Sequence, residues 1–261
     1  MRTLEKAFSI LEIFSHERPS LRLAEISEAT GIDRSTVHRM LRSMVDQGYL
    51  MHRRDNRRYE LGPSLLRLAL IREAVVSTRA HHDDLVRDLT EETQESSHVS
   101  LRAGVKLATI AAAQGRLANR VAHEAGAQLD PHATASGLAY LAYAAPSELE
   151  RCLAQPLTSY SPATPVDPQM LAPRFEAIRA CGHAIADGTF DPEVFGIAAP
   201  IFGPDECAVG AVAVATPFSR MTPDLRARIA RATIKAGLRA TTIEGGRVPA
   251  RYHSSIRTYL A

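Results

Sequence analysis

The chain has 261 residues, of which 45% are hydrophobic and 23% are charged, and its formal net charge is +2. This length fits one large domain or two ordinary ones, and the apolar content predicts folded domains rather than disorder. No apolar run reaches the roughly 18 to 20 residues of a membrane span, and no secretion signal follows Met1. We therefore expect a cytoplasmic protein with no membrane partner. Three widely spaced cysteines suggest neither a zinc site nor a disulfide framework, so we expect no metal and no cofactor.

The small net charge hides a basic segment near the N-terminus. Residues 1–63 contain 11 basic and 9 acidic side chains, so the whole excess of positive charge lies there. Between Arg34 and Arg58 the chain carries seven arginines against Asp46 and Asp55. A basic patch on an otherwise neutral chain is typical of proteins that bind nucleic acid.

Helical periodicity dominates the start of the chain. Apolar residues at helical spacing predict one amphipathic helix over 3–15 and a second over 23–30. Gly31 is suited to end the second helix, and Asp33 is suited to cap a third. The third helix has one apolar stripe, which consists of Val37, Met40, Leu41, Met44 and Val45. At about 100° per residue, the opposite face carries Ser35, His38, Arg39, Arg42 and Asp46.

A basic hairpin follows the third helix. Two short strands are expected near 49–51 and 59–61, with a turn rich in arginine between them. The three helices and this wing predict a winged helix-turn-helix over 1–63, which places its third helix in the major groove of double-stranded operator DNA. The predicted DNA-binding residues are Arg34, Ser35, Thr36, His38, Arg39, Arg42, Arg53, Arg54, Arg57 and Arg58. The alternatives are a merely solvated face or a winged helix that binds only protein, and the arginines of helix and wing favour DNA.

Asp46 limits where the DNA contacts can lie on the third helix. A carboxylate at the far end of the polar face repels phosphate, so we expect the contacts in the first half of the helix. Asp46 itself should face solvent or an arginine.

A helix over 64–79 should link this module to the rest of the chain. It is apolar over much of its circumference and therefore needs a partner, either its own domain or the same helix of a second subunit. A homodimer, or a dimer of dimers, would present two modules to the two half-sites of a palindromic operator.

The second domain is expected over 80–244. Helical segments there alternate with strand-like ones, including a hairpin over 98–110 and a strand near 120–123, which predicts an α+β fold with a largely antiparallel sheet. The tail, 245–261, carries scattered basic residues. It either tethers to a neighbouring subunit or is disordered.

One motif in the second domain bears on chemistry. The segment DPHATASG, residues 130–137, leads into a helix, and a helix N-terminus favours a carboxylate. Ser136 and His132 also raise the alternative of a small hydrolase with an appended winged helix. Because no orienting acid and no nucleophile-elbow pattern accompany the pair, we expect no enzyme.

The segment from TLEKAFSILEIF to STVHRMLRSMVDQGYL, with RRYELGPSLLRL after it, strongly resembles the N-terminal domain of IclR-type transcriptional regulators. The motifs STVHRML, GY and YELG carry the resemblance, which continues to about residue 243. It implies a GAF-like or PAS-like effector-binding domain after the linker helix. It also implies a ligand-responsive regulator of a catabolic or metabolic operon, and it does not fix repression or activation.

The resemblance also implies an effector site. Ala135 and Ser136 match the loop whose amide groups hold a small carboxylate effector in the family. The effector-binding positions implied for this chain are Ala118, Val121, Ala135, Ser136, Ala186, Asp187, Gly196, Ala213 and Ala215. Small side chains at several of these positions favour an aromatic or aliphatic carboxylate over glyoxylate or pyruvate. The alternative is that these small residues only pack against a helix.

Overall fold

The computed structural model describes residues 3–53, 55–76 and 78–260. The chain divides into two compact units, Met1–Ser77 and Thr78–Ala261. In the part that is described, no helix has the length and apolar character needed to cross a membrane.

The first unit is a helical module with a small antiparallel sheet. Its elements are α1 (Thr3–Glu12), β1 (Ser20–Arg22), α2 (Leu23–Thr30), α3 (Arg34–Asp46), β2 (Leu50–Arg53), β3 (Arg58–Leu61) and α4 (Pro63–Val76). The predicted hairpin is confirmed as β2 and β3, and β1 adds to its other edge, giving the order β1-β3-β2. The strand β1 was not predicted, because three residues are too few to show a period of two.

The core of the first unit is built from the predicted apolar stripe. Val37 and Leu41 of α3 are fully buried, together with Ile10 of α1 and Ile26 of α2. Met40, Met44 and Val45 pack partly buried against the same cluster. The prediction of which side of α3 faces inward is therefore confirmed, and its polar side faces outward.

Two glycines fix the point where α4 begins. The Gly62 amide donates to the Tyr49 carbonyl at 2.8 Å, and the Ser64 amide donates to the Gly48 carbonyl at 3.0 Å. A Cβ on Gly62 would lie 2.2 Å from the Gly48 carbonyl oxygen, so no larger residue fits there. The first turn of α4 is consequently held against the end of α3 and the wing.

The second unit has an antiparallel sheet covered by helices. Its strands are β4 (Ser96–Ala103), β5 (Lys106–Ala113), β6 (Gln128–Leu129), β7 (Ala184–Asp187), β8 (Val194–Phe202) and β9 (Ala208–Pro217). Its helices are α5 (Arg79–Thr93), α6 (Ala135–Tyr143), α7 (Pro146–Leu153), α8 (Ala172–Cys181), α9 (Pro223–Ile243), α10 (Ala250–Ser255) and α11 (Arg257–Leu260). The strand order is β6-β5-β4-β9-β8-β7, and the α+β prediction is confirmed.

The strand β8, next to the edge strand β7, shows which helix covers each face of the sheet. A Cβ on Gly196 would lie 3.1 Å from the Cβ of Ala135 in α6, whereas Ala199 approaches Gly237 of α9. Residues three apart on a strand point to opposite faces. The helix α6 therefore covers one face of the sheet and α9 covers the other.

The strand expected near 120–123 is wrong. Residues 114–127 form an irregular connection between β5 and β6. The outer edge of β5 pairs instead with β6, through Leu107 with Leu129 and Ala108 with Gln128. A short apolar alternation does not make a strand without a ladder partner, and residues 116–120 are exposed.

The tail packs into the core of the second unit, so the alternative of a disordered tail is wrong for 245–260. Tyr252 of α10 is 1% exposed, and Ile256 is fully buried. The Tyr252 hydroxyl donates to the Gly182 carbonyl at 3.0 Å. Its ring makes edge contacts with Tyr143 and Phe202, at centroid distances of 5.4 Å and 5.0 Å.

We expect Tyr252→Ala to destabilise the protein strongly. Removing a fully buried aromatic side chain costs roughly 3–5 kcal/mol of unfolding free energy. Tyr252→Phe keeps the packing and loses one hydrogen bond, which costs about 1 kcal/mol. Urea denaturation of both variants measures the difference, and His253→Ala, at the next and exposed position, is the matched control. Equal stability of Tyr252→Ala and the control would show that the tail does not belong to the folded core.

Candidate functional site

The exposed face of α3 begins at a well-defined cap. Asp33 Oδ1 accepts from the Thr36 amide at 2.9 Å and from the Ser35 hydroxyl at 2.7 Å. These hydrogen bonds, the one from Ser35 first, hold the pKa of the Asp33 carboxyl far below its usual range. The predicted cap is confirmed. It fixes the first turn of α3, where the free amides and positive end of the helix favour a phosphate.

The polar side chains of α3 share one side of the helix. Those exposed to solvent are Arg34, Ser35, His38, Arg39 and Arg42. Thr36 is half-buried, and Asp46 is exposed at the far end of the helix. The first half of α3 thus presents positive charge and hydroxyl groups, while its end presents a carboxylate.

Some arginines of the wing form ion pairs within the first unit, and Arg57 is exposed. Arg58 donates to the Ser20 carbonyl at 2.7 Å and lies 3.5 Å from Glu25, so it joins β3 to β1 and α2. Arg53 pairs with Glu60 at 3.0 Å. Arg57 is exposed at the turn, with a φ of 55°. Arg54 lies outside the described residues. Among the described arginines of the wing, Arg57 is the one that no internal ion pair engages.

A groove of about 580 Å³ separates the wing from the start of α2. Its lining consists of Arg22, Leu23, Ala24, Arg34, Asp55, Asn56 and Arg57. Arg22 was not among the predicted DNA-binding residues, although a basic residue immediately before the N-terminus of α2 is well placed to bind a phosphate. Three guanidinium groups around a groove beside a helix N-terminus suit a phosphate group of DNA.

The second candidate site lies at the N-terminus of α6. The Thr134 hydroxyl accepts from the Gly137 amide at 3.1 Å, and every residue of α6 is buried. Ala135 packs against Gly196, which lies opposite Ala186 and Ala215 in the register of the sheet. The structure thus brings these four predicted effector residues together, and at Gly196 the space is filled by the helix.

Ser136 meets a histidine that was not predicted. His98 of β4 is 4% exposed, and its Nε2 lies 3.0 Å from the Ser136 hydroxyl. In the register of the sheet His98 lies opposite Ala213, another predicted effector residue. No local pattern predicts this contact, because His98 and Ser136 are 38 residues apart and meet only in the folded domain.

A second histidine contacts the first, with the two rings tilted at 45° to each other. The ring of His123, from the connection between β5 and β6, lies 4.2 Å from the ring of His98, measured between centroids. His98 Nδ1 and His123 Nε2 are buried and have no hydrogen-bond partner. Burial lowers the pKa of both imidazoles, to about 4 for His123, and for His98 the neighbouring His123 lowers it further. Both rings are therefore neutral at physiological pH.

The remaining predicted effector residues lie on two cavities and in the connection between β5 and β6. Val121 lines a cavity of about 690 Å³ at the end of the sheet, together with Val194 and Pro217. Asp187 lines a different cavity, of about 950 Å³. Ala118 is exposed in the connection between β5 and β6.

The structure does not place His132 as a general base for Ser136. His132 Nε2 lies 2.9 Å from the Thr158 carbonyl oxygen, so its ring is engaged there. The histidine that contacts Ser136 is His98, and its Nδ1 has no carboxylate to orient it. Among the described residues, no three His, Cys, Asp or Glu side chains are grouped so that they could hold a metal ion.

Comparison with known proteins accounts for both units. Residues 3–54 match the IclR helix-turn-helix domain, and residues 74–241 match the bacterial transcriptional regulator IclR C-terminal domain. The HTH-type transcriptional regulator BhcR of Paracoccus denitrificans is 29% identical over 90% of this chain and 85% of its own length.

Solved structures agree. A crystal structure assigned to the IclR transcriptional regulators, from Silicibacter sp. TM1040, has a TM-score of 0.87 at 39% identity, covering 96% of this chain and 99% of its own. An IclR homolog from Microbacterium hydrocarbonoxydans, complexed with 4-hydroxybenzoate, has a TM-score of 0.74 at 22% identity, with coverage of 94% and 98%. With a winged helix, an α+β unit and relatives named as transcriptional regulators rather than enzymes, this chain belongs to the IclR family of transcriptional regulators.

Proposed function

We propose that this regulator binds operator DNA through its first unit and that a small carboxylate, bound by its second unit, modulates the affinity for that operator. The observation that carries the effector proposal is the buried polar cluster of Ser136 and His98 at the N-terminus of α6. The regulator acts on chromosomal DNA in the cytoplasm. The effector changes the affinity for the operator because it binds two conformational states of the regulator with different affinities.

The DNA contacts are proposed on the first half of α3 and around the wing groove. Arg39 and Arg42 are exposed and lie on the side of α3 opposite its buried stripe, where they reach base edges or phosphates. Arg22, Arg34 and Arg57 surround the groove and hold the DNA backbone. Arg58 acts within the module, because its guanidinium already binds Ser20 and Glu25.

A second copy of the chain is the proposed partner of the linker helix. Leu66 and Leu70 of α4 are 63% and 61% exposed, and Leu4 and Phe8 of α1 are 66% and 56% exposed. Each pair is four residues apart and so lies on one side of its helix. Such apolar surface on a small module favours burial between subunits, in a homodimer or a dimer of dimers that reads two half-sites.

The effector is proposed to place its carboxylate at the N-terminus of α6. The helix dipole, the Ser136 hydroxyl and the His98 imidazole all favour an anion there. The 690 Å³ cavity lies next to this point, since Val194 and Pro217 pair in the sheet two residues beyond Gly196 and Ala215. Its rim carries Asp191 and Glu193 against Arg120, so an anionic group is more stable at the buried end of the site.

The body of the effector is proposed to be aromatic or aliphatic. Val121, Val194 and Phe218 give the cavity apolar walls. The Microbacterium homolog, which shares this fold, binds 4-hydroxybenzoate. That ligand combines a carboxylate with an aromatic ring and is a suitable first probe for this chain.

We expect Arg39→Ala and Arg42→Ala each to weaken binding to the DNA upstream of the protein's own gene. Loss of a base contact costs about 1–3 kcal/mol, and loss of a phosphate contact lowers the slope of log K against log salt by roughly 1. Electrophoretic mobility shift or fluorescence anisotropy at several salt concentrations measures both effects.

Two further variants serve as controls for this measurement. Arg231→Ala removes an exposed arginine from α9 in the second unit and should leave DNA binding unchanged. Asp46→Ala should preserve or tighten binding, because it removes an acid that repels phosphate. Binding that is insensitive to salt and to both α3 substitutions would refute the docking, as would sharply weaker binding by Asp46→Ala.

We expect 4-hydroxybenzoate, benzoate or hexanoate to raise the melting temperature of the protein more than glyoxylate or pyruvate does. A ligand at about 100 times its Kd stabilises the folded state by about 2.7 kcal/mol. Each kcal/mol shifts the melting temperature by roughly 2–4 °C for a unit of this size. Differential scanning fluorimetry measures the shift.

The uncharged analogue 4-hydroxybenzamide and the variant Ser136→Ala test the role of the carboxylate. Both should reduce the shift, and Ser254→Ala, an exposed serine of α10, should not. An amide that stabilises the protein as well as the acid would contradict a carboxylate site.

A further inference from the structure

We propose that His98 and His123 bind the carboxylate of the effector together and take up about one proton as it binds. The inference rests on the carboxylate effector proposed above and adds two residues and a proton to that site. Effector binding, and hence regulation, would then respond to pH.

The geometry of the pair is that of a site prepared for a ligand. His98 comes from the middle of the sheet, and His123 comes from the connection that borders the 690 Å³ cavity, directly after Val121 and Ala122. The side-chain amide of Gln114 donates to the His123 carbonyl and so holds this part of the connection. His123 therefore follows the cavity-lining residues directly in the chain, and its ring contacts that of His98.

Two buried ring nitrogens of the pair have no hydrogen-bond partner. A neutral imidazole has one donor and one acceptor nitrogen, and a buried one normally satisfies both. Here His98 uses Nε2 on Ser136, while its Nδ1 and the Nε2 of His123 have no partner. An anion that accepts from these nitrogens removes the penalty of leaving buried polar groups unpaired.

Few charges act on the pair from the surrounding elements. In the sheet, β5 and β9 present Ala112 and Ala213 to His98. The helix α6 presents the Ser136 hydroxyl, and α5 meets the opposite face of β4, where Thr90 bonds Ser97. His123 is the titratable group that acts on His98.

The carboxylate of Glu95, near the start of β4, is engaged elsewhere. Glu95, which precedes β4, is bound by Arg220 through two hydrogen bonds of 2.7 Å and 2.8 Å. Glu95 is therefore not available to the pair, and the carboxylate of an effector would supply an acceptor for His98 Nδ1 and His123 Nε2.

The sign of the pH dependence follows from these surroundings. Without a ligand, burial keeps the pKa of His123 at about 4 and that of His98 well below its ordinary value. An adjacent carboxylate raises the pKa of the pair, because it favours the charged imidazolium. The proton comes from solvent and one ring carries it, since two adjacent positive charges would repel. Between the lower pKa of the free pair and the higher pKa of the pair in the complex, the affinity for the effector should rise as pH falls, by up to about tenfold per pH unit.

In the unliganded protein, the lowered pKa values of the two histidines affect the stability of the folded state. A histidine whose pKa is lowered in the folded state contributes stability that is present above its unfolded pKa, about 6.5. That contribution is lost as pH falls through the interval down to the lowered values, where the unfolded chain binds more protons. The unliganded protein should therefore lose stability below about pH 6.5, and an acidic effector should oppose this loss.

Calorimetric titration of the full chain with 4-hydroxybenzoate, benzoate and hexanoate tests the inference. Measurements in buffers of different ionisation enthalpy count the protons bound, and measurements between about pH 6 and pH 8 give the change in Kd. We expect uptake of about one proton and tighter binding at the lower pH. Binding of any of these acids with no proton uptake and a constant Kd would overturn the inference and leave the carboxylate effector standing.

Variants locate the proton. The double substitution His98→Asn and His123→Asn should bind the acid more weakly at about pH 6 and abolish both the uptake and the pH dependence. His253→Asn, at an exposed position of α10, is the matched control and should behave as the parent chain does. Unchanged proton uptake in the double variant would also overturn the inference. If that variant does not fold, the proton count of the parent chain decides alone. Failure of every acid to bind the parent chain at either pH would refute the carboxylate effector itself, and the inference with it.

Discussion

The complete burial of α6 is the constraint on which the second unit depends. All residues from Ala135 to Tyr143 are buried, so the sheet has to present small side chains beneath the helix. Gly196 meets this demand, since a Cβ there would lie 3.1 Å from that of Ala135. The close approach brings the N-terminus of the helix to the level of His98 and excludes water from it. In such surroundings the positive end of a helix attracts an anion more strongly than at the surface.

This packing changes how the small residues of the sheet are understood. The sequence suggested that Ala186, Gly196, Ala213 and Ala215 widen a ligand pocket, with packing against a helix as the alternative. At Gly196 the structure shows packing, and the open volume lies further along, beside Val194 and Pro217. Small side chains thus bring the N-terminus of α6 close to the sheet, while the neighbouring cavity lies beside residues two positions further along β8 and β9.

The sequence predicted what depends on neighbours along the chain. The cap at Asp33, the buried stripe of α3, the hairpin and most helices of the second unit follow from local spacing, and the structure has them. It did not predict contacts set by long-range register. Arg58 counts as a basic residue of the wing, yet it binds the Ser20 carbonyl, 38 residues away. His98 and His123, on β4 and on the connection after β5, meet only in the folded structure, where their ring centroids are 4.2 Å apart. Charge counted along a segment therefore overstates the charge available to DNA.

The helices α4 and α5, on either side of the unit boundary, each contact their own unit. The helix α4 is held to the wing by the close approach of Gly62 to Gly48. The helix α5 is held to the end of α9 by the buried His82, whose Nε2 lies 2.8 Å from Glu244. Each helix is thus an extension of its own unit. Because the first turn of α4 moves with the wing, any reorientation of α4 also reorients the arginines of α3. The orientation of α4 and that of the exposed arginines of α3 are therefore set by the same contacts within the first unit.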